Sequence, residues 1–117
     1  MPTAYRGERT HSLAEWKKLF ELSDRHGFVI ASDECYSEIY NRDALPSGIL
    51  EASGPDFANA IAFHSLSKRS SLPGLRIGFA AGDRTFMRTY LELRNVAAPM
   101  VPTLLSPAST GVRKEIA

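Results

Sequence analysis

Six side chains in two short stretches of this sequence have types and a spacing that could perform chemistry. They are Asp33, Tyr36, Ser65, Ser67, Lys68 and Arg76. Lys68 directly follows Ser67, and Arg76 stands eight residues after the lysine. The set supplies a carboxylate, a phenol, two hydroxyls, a primary amine and a guanidinium.

These groups have the chemistry of an anion site with a reactive amine beside it. Hydroxyls donate hydrogen bonds, and a guanidinium binds phosphate through paired N–H groups. An amine next to that anion can form an imine with an aldehyde when its surroundings leave it partly deprotonated. A carboxylate opposite can keep a pyridine nitrogen protonated, which makes the ring an electron sink, and a phenol can donate to a ring hydroxyl. Pyridoxal phosphate requires all of these groups.

Each of these residues also has a simpler interpretation when it is taken singly. Asp33 at a strand end could be a turn former, and Lys68 could be a solvated surface lysine. Serines in such positions are often turn residues, and a tyrosine can cover the edge of a core. The case for a site therefore depends on the residues acting together.

The predicted elements would bring the two stretches to one edge of a sheet. Residues 28–31 and 60–63 are short unbroken apolar runs, typical of strands buried on both faces of a parallel sheet. Asp33 follows the first run and Ser65 follows the second. Ligands of open α/β sheets bind outside the carboxyl ends of parallel strands, so we expect the polar side chains to converge there.

Helices are predicted on either side of these strands, over 12–26 and 84–96. Ser12 and Glu15 have the spacing of a capping box, Gly27 suits the end of the first helix, and Asp83 can cap the second. A third apolar run, 77–81, predicts a third strand, and 41–59 is rich in loop formers. This order of elements predicts an α/β fold.

Composition favours one ordinary globular domain. The chain has 117 residues, of which 44% are hydrophobic and 23% charged. Its net charge of +1 argues against nucleic acid or an anionic membrane as a partner. No apolar run approaches the ~20 residues that span a bilayer, and the first residues lack a signal-peptide pattern.

The few sulfur and imidazole ligands argue against a metal site. Cys35 is the single cysteine, and His11, His26 and His64 are far apart in the sequence. One cysteine cannot form an internal disulfide, which favours the cytoplasm. We expect Cys35 to pack rather than react, since nothing in the sequence indicates a lowered thiol pKa.

The stretches 30–40 and 64–79 resemble the signature of fold-type I pyridoxal-phosphate-dependent aminotransferases of class I/II. The matching pattern is Asp33-x-x-Tyr36, then Ser65-x-Ser67-Lys68, then Arg76. Both stretches are most similar to succinyldiaminopimelate aminotransferases of lysine biosynthesis, and the resemblance covers roughly 12–110. It implies part of a three-layer α/β sandwich, a mostly parallel sheet flanked by helices.

The resemblance also implies a role for each matching residue. Lys68 would be the catalytic lysine that forms the Schiff base with the cofactor and shuttles the proton. Asp33 would pair with the pyridinium nitrogen, and Tyr36 with the phenolic oxygen. The phosphate-binding residues would be Ser65, Ser67 and Arg76. His64 and Arg69 match the local pattern without an assigned role.

The implied reaction moves an amino group between amino acid and 2-oxo acid substrates. Complete members of the family run to several hundred residues, so 1–117 is expected to be a single incomplete piece of the cofactor-binding large domain, without the small substrate domain. Residues 1–4 match the family's Asn-Pro-Thr-Gly motif only in part. An incomplete sheet exposes strand edges and apolar faces, so we expect a homo-oligomer or a poorly soluble monomer.

Two alternatives to transamination remain open at this point. The cofactor-binding residues are shared with other fold-type I enzymes, such as β-lyases and decarboxylases. The chain could also be an inert remnant that folds or self-associates and turns nothing over.

Overall fold

The elements that carry the two stretches are seen in a computed structural model, which describes residues 10–40 and 45–97. In chain order they are α1 (Leu13–His26), β1 (Ile30–Asp33), α2 (Ile49–Ala52), β2 (Ala60–Ser65), α3 (Leu66–Arg69), a 3-10 helix (Pro73–Leu75), β3 (Gly78–Gly82) and α4 (Arg84–Ala97). The partial motif at 1–4 lies outside the described residues, as does everything after 97.

The three strands form one sheet in the order β1-β2-β3. β1 runs parallel to β2, from the pair Ile30–Ala60 to the pair Asp33–Phe63. β3 runs antiparallel to β2, with Ser65 opposite Gly78. The sheet is therefore mixed at β3, where a mostly parallel sheet was expected. The connection between β2 and β3 stays at one edge and does not cross the sheet, as is usual for antiparallel neighbours. At its base, Leu66 N–H donates to the Ile77 carbonyl at 3.0 Å.

Helices cover both faces of this sheet, which confirms the α/β class. On one face, Trp16 of α1 and Ile49 of α2 form a buried cluster with Ala60 and Ala62 of β2. On the other face, the Phe63 ring meets the Tyr90 ring of α4 edge-on, with centroids 6.2 Å apart. Successive side chains of a strand point to opposite faces, so α1 and α2 form one outer layer and α4 forms the other.

Both long helices begin as their sequences predict. Ser12 Oγ accepts from Glu15 N–H at 3.3 Å, and the Glu15 carboxylate accepts from Ser12 N–H at 2.9 Å, which completes the capping box. Gly27 ends α1 in the left-handed conformation, at φ 71°. Asp83 Oδ1 accepts from the N–H groups of Thr85 and Phe86 and so caps α4.

The first strand lies two residues later than predicted. Phe28 and Val29 are 40% and 39% exposed, although their run was expected to be buried on both faces. Pairing begins at Ile30, whose N–H donates to the Asn59 carbonyl at 2.8 Å. The Phe28 carbonyl accepts from Ser23 Oγ, which ties this residue to α1 instead.

A short helix, α2, lies within the stretch 41–59 that was predicted as loop. The N–H of Ile49, the first residue of α2, donates to Glu34 Oε1 at 2.7 Å. Ile49 is fully buried and joins the core against Trp16. Trp16 Nε1–H donates to the Ser47 carbonyl at 3.1 Å, so α1 holds this turn from the other side. Long-range contacts therefore stabilise a helix that is too short to form alone.

Candidate active site

The sheet register places the two chemical stretches at one edge. Asp33 is level with Phe63, two residues before Ser65, at the carboxyl ends of two parallel strands. Because β3 is antiparallel, it begins where β2 ends, so Arg76 returns to the same edge. Strand pairing therefore places the chain at Asp33, Ser65 and Arg76 at one edge of the sheet.

The hydroxyls and the guanidinium form a cradle of donors. Arg76 Nη1 lies 3.5 Å from Ser67 Oγ and donates to the Pro73 carbonyl at 3.1 Å. Ser65 Oγ accepts from Ser67 N–H at 3.2 Å and thereby caps α3. Two hydroxyls and a guanidinium within this range suit a phosphate group.

The backbone around the cradle is tightly constrained. Arg76 has φ 51° and ψ 39°, a left-handed conformation that costs an ordinary residue about 1–2 kcal/mol. Such strain persists only where the surrounding structure imposes it, and it is common at ligand sites. Gly78 adds a second constraint, because a Cβ there would lie 2.6 Å from the His64 carbonyl oxygen.

Lys68 and Tyr36 connect the two strand ends. The lysine Nζ lies 5.8 Å from the centroid of the Tyr36 ring. The Lys68 side chain is exposed, and Tyr36 is 41% exposed. Covalent attachment of an aldehyde requires an accessible primary amine, and Lys68 supplies one next to the phenol of Tyr36.

Asp33 is held as an anion. Its Oδ1 accepts from Cys35 N–H at 3.1 Å, so the turn-forming interpretation of this residue is realised as well. The Cys35 thiol and N–H both donate to the carboxylate and hold the pKa of Asp33 below its usual value, and the nearby His64 adds to this effect. A carboxylate that stays ionised can stabilise a protonated pyridine nitrogen.

The surroundings of Cys35 disfavour its thiolate form, which agrees with the expectation that this residue packs rather than reacts. Burial raises the pKa of its thiol to about 11, and the hydrogen bond and negative charge of Asp33 act in the same direction. The thiolate is the nucleophilic form, so little of it is present at neutral pH.

Two residues directly beside the site were missed as contributors to it. Glu34 Oε2 lies 3.6 Å from His64 Nε2, an ion pair when the imidazole is protonated. The His64 ring stacks on Phe79, with centroids 4.9 Å apart. Arg69 lies 5.7 Å from the same Phe79 ring and approaches Glu38 at 3.6 Å. Their positions next to predicted site residues could have indicated this role, since Glu34 follows Asp33 and His64 precedes Ser65.

Comparison with known proteins identifies the family. The family model for aminotransferase class I and II matches residues 9–114. The chain belongs to that family. A probable aminotransferase, Rv1178 of Mycobacterium tuberculosis, is 38% identical over 94 residues, which are 79% of this chain and 22% of the relative. The LL-diaminopimelate aminotransferase of Aquifex aeolicus is 42% identical over 73 residues, which are 62% of this chain and 19% of the relative.

A solved aminotransferase structure is similar to this chain in fold as well as in sequence. The crystal structure of the aminotransferase AspB from Helicobacter pylori superposes with a TM-score of 0.74 at 41% identity. The superposition covers 86% of this chain and 28% of the AspB chain. The chain thus spans about a quarter of the length of the proteins that it matches. Pyridoxal phosphate is the cofactor that this family implies, and the donor set at the sheet edge fits it.

Among residues 10–40 and 45–97, no group of three or more His, Cys, Asp or Glu side chains could hold a metal ion. In the same part of the chain, no helix has the length and apolar character needed to cross a membrane.

Proposed function

We propose that this chain is the cofactor-binding part of a pyridoxal-phosphate-dependent aminotransferase. The observation that carries the proposal is that strand pairing brings an ionised Asp33, the Ser67–Arg76 cradle and Lys68, which lies over the Tyr36 ring, to one sheet edge. When bound, the cofactor supplies an electron sink for the amino acid that reacts. In this proposal, residues 1–117 form a single piece of the enzyme's large domain.

In this proposal each side chain has one task. Asp33 would keep a proton on the ring nitrogen, because its carboxylate is held ionised. Tyr36 would donate a hydrogen bond from its phenol to the ring oxygen. The phosphate is held by Ser65, Ser67 and Arg76. Lys68 would hold the cofactor through Nζ and would carry the proton that transamination moves.

The proposed substrates are an amino acid and a 2-oxo acid. Relatives named LL-diaminopimelate aminotransferase support a diaminopimelate-type amino donor and a place in lysine biosynthesis. The resemblance of 30–40 and 64–79 to succinyldiaminopimelate aminotransferases supports the succinylated form of that donor.

We also propose that the protein is a homo-oligomer in the cytoplasm. Large apolar side chains of α4 are exposed, among them Leu93 at 61% and Val96 at 91%. Exposed apolar surface of this kind is commonly covered by another subunit. The single cysteine supports the cytoplasmic location.

The first test is an absorbance titration of the purified chain with pyridoxal phosphate. We expect a visible band that borohydride reduction fixes as a mass increase on Lys68. In Lys68→Ala the band and the fixed mass are lost. Lys17→Ala, which removes an exposed lysine of α1, is the matched control and keeps both.

The opposite result has a definite meaning. Equal labelling of the Lys68→Ala variant and the unsubstituted chain would show that the aldehyde reacts with surface lysines in general. The assignment of Lys68 would then be wrong, and the inert remnant would be the better description of this chain.

A further inference from the structure

Beside the proposed cofactor site lies a pair of polar side chains with no assigned task. Glu34 follows Asp33 in the chain, and His64 precedes Ser65. Their closest atoms, Oε2 and Nε2, are 3.6 Å apart. The two side chains are only 13% and 15% exposed. An interaction in this position is shielded from water and salt more than a surface contact is.

Glu34 is fixed by contacts on three sides. Its Oε1 accepts from Ile49 N–H at 2.7 Å, at the first residue of α2. Its own N–H donates to the Phe63 carbonyl of β2 at 2.8 Å. Gly48 leaves room for the carboxylate, since a Cβ there would lie 3.1 Å from Oε2. The side chain therefore has little freedom to move away from His64.

His64 is fixed by the third strand. Its ring lies almost parallel to that of Phe79, at an interplanar angle of 21° and a centroid distance of 4.9 Å. Phe79 is also its direct partner across the antiparallel ladder. The pair thus joins β1, through Glu34, to β2 and β3, through His64.

We propose that Glu34 and His64 are positioning residues that set the separation between Asp33 and the Ser65–Lys68 segment. The inference rests on the proposed function, since it assigns the pair to the cofactor site. A cofactor held by both Lys68 and Asp33 would require the two strand ends to keep one separation. Asp33 and Ser65 are the chain neighbours of Glu34 and His64, so the contact within the pair fixes the separation between them.

The phosphate cradle should depend on the pair much less. Ser65, Ser67 and Arg76 are all held by the β2–β3 connection, which the hydrogen bond from Leu66 N–H to the Ile77 carbonyl closes. Loss of the pair should therefore weaken binding of the whole cofactor and leave binding of inorganic phosphate nearly unchanged. A general loss of structure would weaken both.

The test is a double-mutant cycle with Glu34→Gln and His64→Gln. The glutamine at 34 keeps an oxygen for Ile49 N–H, so the cap of α2 is preserved. We expect each single variant to weaken pyridoxal phosphate binding about tenfold, within the range seen for contacting pairs, and the double variant to be no weaker than either. Glu51→Gln, an exposed acid of α2, is the matched control and should bind normally.

Two further measurements keep this test separate from that of the proposed function. Inorganic phosphate binding, followed by NMR titration, should be equal in all variants. In the chain without cofactor, amide exchange over 33–36 should rise in both single variants, while 65–68, α1 and α4 keep their protection. This last measurement does not depend on whether the cofactor binds.

Several results would overturn the inference. Additive losses in the double variant would show that the residues act independently. Unchanged cofactor binding and exchange would show that the pair positions nothing. An equal loss of phosphate binding would show a general structural defect. Failure of the proposed function would look different, as a missing Lys68-dependent band in the unsubstituted chain.

Discussion

The Asp33 carboxylate interacts with its own turn through Cys35 N–H, at 3.1 Å, and with the Cys35 thiol. Both donors favour the ionised acid, and the same contacts keep the thiol protonated. One interaction therefore prepares an anion for the proposed ring nitrogen and removes a nucleophile that an aldehyde would otherwise meet.

The reactivity of Cys35 tests this coupling. The thiol pKa of about 11 predicts slow alkylation by iodoacetamide at pH 9, about tenfold or more slower than in the urea-unfolded chain, where thiols have their usual pKa near 8.5. Asp33→Asn removes the charge and leaves the burial, so the folded-state rate should rise only part of the way.

The matched control for this measurement is Asp56→Asn, which removes an exposed acid from the loop before β2. It should leave the alkylation rate unchanged. Rapid alkylation of the unsubstituted folded chain at pH 9 would contradict the raised pKa of Cys35.

Among the elements, α4 is joined to the sheet through one carboxylate. Asp83 Oδ1 caps the helix, and its Oδ2 accepts from Asn59 N–H at 2.9 Å, just before β2. These backbone N–H groups, that of Asn59 above all, hold the pKa of Asp83 below its usual value. The acid thus links the start of α4 to the start of the central strand.

The stability of the fold should depend on pH through Asp83. The folded-state pKa is lowered, so the stabilisation is complete above the unfolded value of about 3.9 and is lost as the pH falls through the folded value. Asp83→Ala should cost about 1 kcal/mol at pH 7 through loss of the cap. Asp83→Asn keeps one acceptor and should cost less.

Urea unfolding between pH 7 and pH 2.5 measures both effects. The decline in stability below about pH 4 should be smaller in Asp83→Asn than in the unsubstituted chain. Asp56→Asn again serves as the control with an exposed acid. Identical declines in all three proteins would show that Asp83 does not contribute to acid unfolding.

On the scale of the whole molecule, the described residues leave much apolar surface uncovered. The α4 groove, lined by Ala80, Met87, Tyr90 and Leu91 with arginines at its border, encloses about 600 Å³. Beyond it, Leu93 and Val96 are exposed on the same helix. β1, at one edge of the described sheet, pairs within it only with β2.

Light scattering tests the proposed self-association. We expect a mass of at least twice that of one chain, because burying this apolar surface between copies is favourable. Leu93→Lys and Val96→Lys should shift the chain toward the monomer, whereas Glu92→Lys, a neighbouring exposed position, should not. A monodisperse monomer of the unsubstituted chain would contradict the proposal.

The sequence by itself determined the features that depend on neighbouring residues. The capping box of Ser12, the left-handed end at Gly27 and the cap of Asp83 each involve residues within about four positions, so their spacing was sufficient. The burial of β2 was also predictable, because successive apolar residues of a strand place apolar side chains on both faces of the sheet. The same local reasoning identified the pattern from Ser65 to Arg76.

Only the tertiary structure decided the features that depend on distant partners. The start of β1 at Ile30 is set by Asn59, α2 is held by Glu34 and Trp16, and β3 turns antiparallel because its connection closes at one edge. The Glu34–His64 pair joins residues thirty positions apart. Local propensity cannot predict such contacts, because they stabilise the chain only after distant strands have paired.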